Sequence, residues 1–320
     1  MSFKSNGFCA NKASLHVIST ALWLTAGPAM AQQFFGEHYI QGSAGIKAGT
    51  LPPPGICFDD VNLYLQLHSQ AGGGGADLKE KVYVNEPRLK WISQKTFLGA
   101  NYGAELMVPF SYEDTRSKSG PDSYTLGQFE VDDLEISPLM LGWHWQRFDL
   151  TAGYAFWVPT GANSYTWVSP HFGVVPFQGH WWANMFTLGG TWYPDADKQW
   201  AVSSLSHFEI NEPYNIGGGS ESFTYGQMFT TEWGVSRKTG KYFELGLAGN
   251  YSQQVSASKA GSIEIGEAHP TIEVGPEIGA TVPQWDFSVS LRYLRQLNNP
   301  NNGYGNYNLN VFALTLSKRF

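Results

Sequence analysis

From about Val61 to the end of the chain, apolar and polar residues alternate with a period of two. Val61, Leu63, Leu65 and Leu67 are interleaved with Asn62, Tyr64, Gln66 and His68, and Trp285, Phe287, Val289, Leu291 and Tyr293 with Asp286, Ser288, Ser290 and Arg292. Such alternation predicts β-strands with one apolar and one polar face. Segmenting the chain on this pattern places strands at 57–68, 81–93, 95–110, 129–145, 147–158, 179–193, 199–211, 222–236, 241–255, 269–282, 284–297 and 308–320. Helical periodicity is not convincing anywhere after Gln32.

The links between these runs alternate in length. Long ones fall at 69–80, 111–128, 159–178, 212–221, 256–268 and 298–307, and short ones at Gln94, Gln146, Pro194–Lys198, Arg237–Gly240 and Pro283. A soluble sandwich has no reason to sort its loops by parity, whereas outer-membrane barrels join their strands by short periplasmic turns and long extracellular loops. The predicted fold is therefore all-β: a closed antiparallel transmembrane β-barrel of about 12 strands. Within 133–145, Leu134 and Ile136 share one parity while Leu139, Leu141 and Trp143 take the other, so a bulge is predicted at Ser137-Pro138. Phe312, Leu314, Leu316 and Phe320 share one parity at the end of the chain, and Trp143/Trp145, Trp181/Trp182 and Trp192/Tyr193 fall near strand ends, where amphipathic rings suit a headgroup layer.

The N-terminal residues follow a different pattern. Lys4 and Lys12 precede an apolar run from Leu15 to Gly27, and Ala29-Met30-Ala31 is a small-x-small cleavage site, so residues 1–31 read as a signal peptide. Residues 32–55 form a lead-in to the first strand or a plug of the lumen, with the barrel at 56–320. Pro52, Pro53 and Pro54 favour extended polyproline geometry, while Phe34, Phe35 and Tyr39 would pack inside, and Lys47 belongs to the same stretch.

Composition narrows the classes further. The chain is 42% hydrophobic, 15% aromatic and only 15% charged, against about 25% charged in ordinary soluble domains. It lacks the charge density of disordered chains and the apolar runs, about 18 residues or more, of helical membrane proteins. The formal charge of −7 becomes −9 once Lys4 and Lys12 are removed, which argues against nucleic acid as a partner. Cys57 then stands alone, so no intrachain disulfide can form.

No nucleophile elbow, zincin, C-x-x-C or phosphate-loop motif occurs, and no cofactor or metal is implied. Asp195 and Asp197 are explained by turn chemistry. The candidate chemistry lies in the barrel interior. Under the assigned parity Glu105, Asp133, Glu135, His144, His207, Glu209, Glu232, Glu244, Glu273 and Arg292 face inward. There they either line a solute path or pair into a network that rigidifies a narrow barrel. Acids outnumber bases, which disfavours anions.

Several stretches resemble a known family. They are Gly42 to Gly55 (GSAGIKAGTLPPPG), 137–144 (SPLMLGWH), Val158-Pro159-Thr160-Gly161, Phe208-Glu209-Ile210-Asn211, 251–255 (YSQQV) and Gly275-Pro276 with Gly279. The family comprises outer-membrane transporter-like proteins labelled for the meta-pathway of phenol degradation. The resemblance implies a barrel in the outer membrane of a Gram-negative bacterium, with membrane lipid and a small apolar or aromatic solute as partners and passive uptake as the function. Tyr165, Trp167, Phe172 and Phe177 would collect such a solute in the longest loop. A sealed structural or adhesive barrel, and a barrel-embedded hydrolase using His144 or His207, are the alternatives; the sequence does not set the oligomeric state.

Overall fold

A computed structural model describes residues 37–70, 77–119, 122–161, 165–169, 173–176, 180–215, 222–264, 270–298 and 306–320. The signal segment, Phe34, Phe35, Phe172 and Phe177 lie outside the described residues. In chain order the strands are β1 Gly55–Gln70, β2 Asp77–Phe97, β3 Ala100–Met107, β4 Phe110–Ser119, β5 Asp122–Val131, β6 Leu134–His144 and β7 Phe148–Val158. There follow the short β8 Tyr165–Ser169 and β9 Gly173–Pro176, then β10 Ala183–Trp192, β11 Trp200–Asn211, β12 Tyr214–Asn215, β13 Ser222–Thr224 and β14 Met228–Thr239. The last six are β15 Phe243–Gln254, β16 Lys259–Ala260, β17 Ile263–Glu264, β18 Thr271–Val282, β19 Phe287–Gln296 and β20 Asn306–Arg319.

Among the described residues, β1, β2, β3, β6, β7, β10, β11, β14, β15, β18, β19 and β20 pair antiparallel in that order. β1 then pairs with β20 over Cys57–Arg319 to Gln70–Asn306, so the sheet closes on itself. Closure leaves no open edge among these twelve strands, which an antiparallel sheet needs in hydrocarbon. This is the twelve-stranded barrel that the alternation and loop parity predict.

The strands reach into two predicted loops, with 69–70 and 77–80 belonging to β1 and β2. Residues 111–128 contain most of the β4–β5 hairpin, and β4 continues the ladder of β3 along β2: Arg88–Phe97 pairs with β3, while Asp77–Asn85 pairs with β4. The 16 residues of β1 and 21 of β2 exceed the roughly 9–11 needed to cross a bilayer, so these hairpins project beyond the membrane. Their polar, charged residues hid the extension from a reading based on apolar alternation. The predicted bulge is present, with the β6–β7 register shifting between Ile136 and Leu139.

The outer face carries the exposed rings. Trp145, Phe148, Trp192, Trp200, Phe243, Trp285 and Phe320 are exposed at the short-turn end, where they form an interfacial girdle. Trp181 and Tyr193, which follow the same sequence pattern, are buried instead. β1 turns its apolar face inward: Val61, Leu63 and Leu65 form one core with Val84, Leu294, Leu309, Val311 and Ala313, and Ile40 and Ile46 pack against it. Its other face places Asp60, Asn62 and Asn85 in a hydrogen-bonded group, Asn85 Nδ2 donating to Asp60 Oδ1 at 2.6 Å.

Candidate functional site

Residues 37–54 run through the inside of the ring, and their contacts fall into three levels. At the long-loop end, the His38 ring lies between two carboxylates, Nδ1 2.8 Å from Glu209 Oε1 and Nε2 3.1 Å from Asp133 Oδ2. Neutral imidazole has a single N–H, so two accepting carboxylates match the doubly protonated ring. Glu209 also accepts the His38 backbone N–H at 3.0 Å. Asp133 further accepts the Gly161 N–H at 3.0 Å and pairs with His180 Nδ1. Trp157 stacks on the His38 ring at 4.9 Å, and Trp181 lies at 4.4 Å. Trp181 continues into a ring cluster with Tyr214, Phe223 and Tyr225.

At mid-height, one carboxylate holds the segment by its backbone. Glu232 accepts the N–H groups of Gly42 (2.9 Å), Ala44 (3.0 Å) and Gly45 (3.1 Å) and the Tyr39 hydroxyl (2.9 Å). Gly42 and Gly45 adopt φ of +86° and +80°, which lets nearby N–H groups converge on one anion as in a backbone nest. Glu277 accepts the Ile46 N–H at 3.0 Å and faces Arg292, whose Nε lies 3.5 Å away.

Nearer the short-turn end, Lys47 pairs with Glu244. The Thr50 hydroxyl donates to Asp149 at 3.1 Å and is hydrogen-bonded with the Thr191 hydroxyl at 2.8 Å, and the Tyr193 hydroxyl donates to Asp149 at 2.7 Å. Pro52, Pro53 and Pro54 then lead to β1, with Pro53 exposed.

Two cavities flank the segment on the side of β2. The outer one, about 120 Å³, has an apolar wall that includes Leu65, Val82, Val84, Leu309 and Trp157, and a polar side that includes Glu86, Ser111, Glu113 and Asp132. The inner one, about 260 Å³, is lined among others by Lys90, Glu105, Glu135, Ser137, Thr187 and His207. Lys90 joins Asp59 (2.8 Å) and Glu105 (3.1 Å), and the Glu135 carboxylate accepts the Ser137 hydroxyl at 2.7 Å.

The structure thus buries Glu105, Asp133, Glu135, His207, Glu209, Glu232, Glu273 and Arg292 inside the ring. Glu273 accepts Asn250 at 2.8 Å and touches none of residues 37–54 by hydrogen bond or ion pair. His144 keeps the inward parity, opposite Asp149 with Nδ1 3.3 Å from its Oδ1, but as the last residue of β6 it lies exposed at the short-turn rim, not deep in the ring. Of the residues named in the long loop, Tyr165 and Trp167 are described by backbone pairing alone. Sequence reasoning missed His38, Glu86, Arg88, Lys90, Asp149, Trp157 and His180. Their inward parity was available for Glu86, Arg88 and Lys90, all on one face of β2, but that strand alternates charge with mixed neighbours and gives no apolar signal.

Comparison with known proteins agrees with the geometry. A family model described as "Putative MetA-pathway of phenol degradation" matches residues 68–312. The structure is similar to the COG4313 outer membrane channel from Pseudomonas putida F1, with a TM-score of 0.60 and 14% identity, covering 89% of this chain and 100% of that one. It is also similar to the β-domain of the Bordetella autotransporter BrkA, with a TM-score of 0.52 and 12% identity, covering 83% and 100%. The first is an outer-membrane channel, and the present fold is a barrel of that kind. No curated protein matches the chain at a significant level.

Proposed function

The chain belongs to the family described for the MetA-pathway of phenol degradation, and from that membership we propose that it is an outer-membrane channel for passive uptake of small apolar or aromatic molecules, with residues 37–54 acting as a hatch in its lumen. The COG4313 protein that it resembles in fold is an outer-membrane channel, which supports the reading. The observation that carries it is the pair of cavities of about 120 and 260 Å³ lying between the segment and the β2 side of the wall. A barrel sealed for structural or adhesive purposes would gain from filling that space, since voids forfeit packing contacts.

The chemistry of the path follows from its lining. A benzene-sized solute loses little by leaving water for the outer cavity, because the apolar wall replaces its hydration at about 25 cal/mol per Å² buried. An anion entering the same cavity meets Glu86, Glu113 and Asp132, which oppose it electrostatically. Transport needs no energy coupling in this account, and no catalytic step: His207 Nδ1 is engaged with Thr187 at 2.9 Å and His144 stands at the short-turn end.

The hatch is tested by deleting residues 37–52 and measuring single-channel conductance in planar bilayers. Conductance several times that of the intact chain is expected; an unchanged value would remove the hatch from the account.

A further inference from the structure

Among the described residues, the outer and inner cavities have one lining residue in common, Tyr39. We infer that the Tyr39 ring is the gate between them, the residue that sets what size of solute passes from the apolar chamber to the polar one. The inference rests on the channel reading above and names its narrowest moving part.

Three observations carry it. Tyr39 is only 6% exposed, so its ring fills the junction and does not merely border it. Its hydroxyl donates to Glu232 at 2.9 Å, its ring lies 3.9 Å from that of His207, and the same ring packs against the small or flexible side chains of Ala155 and Met185. Across the junction stands an ion pair that straddles the same level. Glu86 lines the outer cavity, Arg88 lines the inner one, and Arg88 Nη2 contacts both Glu86 Oε2 and Ser43 Oγ, the latter at 3.2 Å. The ion pair is doubly anchored, to β2 and to the segment, whereas the ring swings about two side-chain torsions. Rotamer changes of this kind are fast compared with backbone rearrangement, so a solute can cross while the Glu232 grip on Gly42, Ala44 and Gly45 keeps the backbone in place.

The position also explains the use of tyrosine. The ring separates the Leu65, Val84 and Leu309 side from the Lys90, Glu105 and Glu135 side. An amphipathic side chain meets both environments, and its hydroxyl returns it to Glu232 after each opening. Phenylalanine would keep the block and lose the return tether.

The test is a size series at one position, Tyr39→Trp, Tyr39→Phe, Tyr39→Leu and Tyr39→Ala, read as ion conductance in planar bilayers. The full chain is used, with folding checked by heat-modifiable migration. Conductance is expected to rise in the order Trp, Phe, Leu, Ala, with the Ala variant several-fold above the intact chain and the Phe variant showing more frequent openings at little change in amplitude. Protease protection of residues 37–54 is measured in parallel and is expected to be unchanged in Phe and Leu variants. Equal conductance across the series would overturn the gate. So would an all-or-none jump accompanied by lost protection, since that signals release of the whole segment. Because the readout is ions, a graded series in a protein that fails to take up aromatic solutes leaves the gate standing and removes the solute reading; aromatic uptake with a flat series does the reverse.

Discussion

Gly49 of the lumen segment and Gly190 of β10 meet backbone to backbone: a Cβ on Gly49 would lie 2.4 Å from Gly190 N, C and O. Nothing flexible is available to yield at that distance, so Gly49→Ala must push the segment off the wall. The substitution is expected to raise conductance and expose residues 37–54 to protease while the barrel still folds. Gly240→Ala is the control, because a Cβ there meets nothing within 4 Å although φ is +70°. Equal behaviour of the two variants would show that the close approach does not hold the segment.

Glu232→Gln tests the mid-height grip. The carboxylate accepts four hydrogen bonds with its two oxygens, and the amide replaces one oxygen by an NH2 group that cannot accept from a backbone N–H. Hydrogen bonds to charged groups contribute about 1.5–3 kcal/mol each, so losing even two loosens the segment substantially. Faster proteolysis between residues 39 and 46 is the expected outcome, and unaltered digestion would contradict it.

His38 locks the long-loop end by using both ring nitrogens at once. His38→Gln retains one donor group, whereas His38→Phe retains none and leaves Asp133 and Glu209 facing an apolar ring. Protection of the segment should therefore fall in the order intact, Gln, Phe. Better protection in the Phe variant than in the Gln variant would contradict this and assign the role of His38 to its stacking on Trp157 at 4.9 Å.

Much of the barrel is legible in the sequence because a strand in a membrane must alternate, and because turns on the two sides differ in length for a physical reason. Ser137-Pro138 is legible for the same reason, since a parity switch needs a bulge. The inward orientation of Glu105, Glu135, Glu209 and Glu232 follows from the cost of a carboxylate in lipid. What alternation cannot say is which apolar face looks outward. Leu63 and Leu65 turn inward because Ile40 and Ile46 wait for them, and that partner lies in a stretch without any periodicity. The His38–Asp133–His180 arrangement was illegible for a related reason. Its members come from the lumen segment, a strand junction and the end of a loop, 95 and 47 residues apart.

Lys90→Met addresses stability and not the hatch. It would leave the largely buried Asp59 and Glu105 without their shared cation, and breaking such a group from one side costs about 3–5 kcal/mol. A lower unfolding temperature and denaturant midpoint are expected; an unchanged midpoint would mean that water reaches the pair freely.

The central claim, passive entry of small apolar or aromatic molecules, is tested most directly by uptake. Initial rates for a radiolabelled aromatic solute and a size-matched aliphatic acid are compared in a deletion strain with and without the restored gene, with the proton gradient collapsed in a parallel sample. A several-fold faster rate for the aromatic solute in restored cells, no gain for the acid, and persistence without the gradient are the predicted results. Equal aromatic uptake with and without the protein would contradict the account.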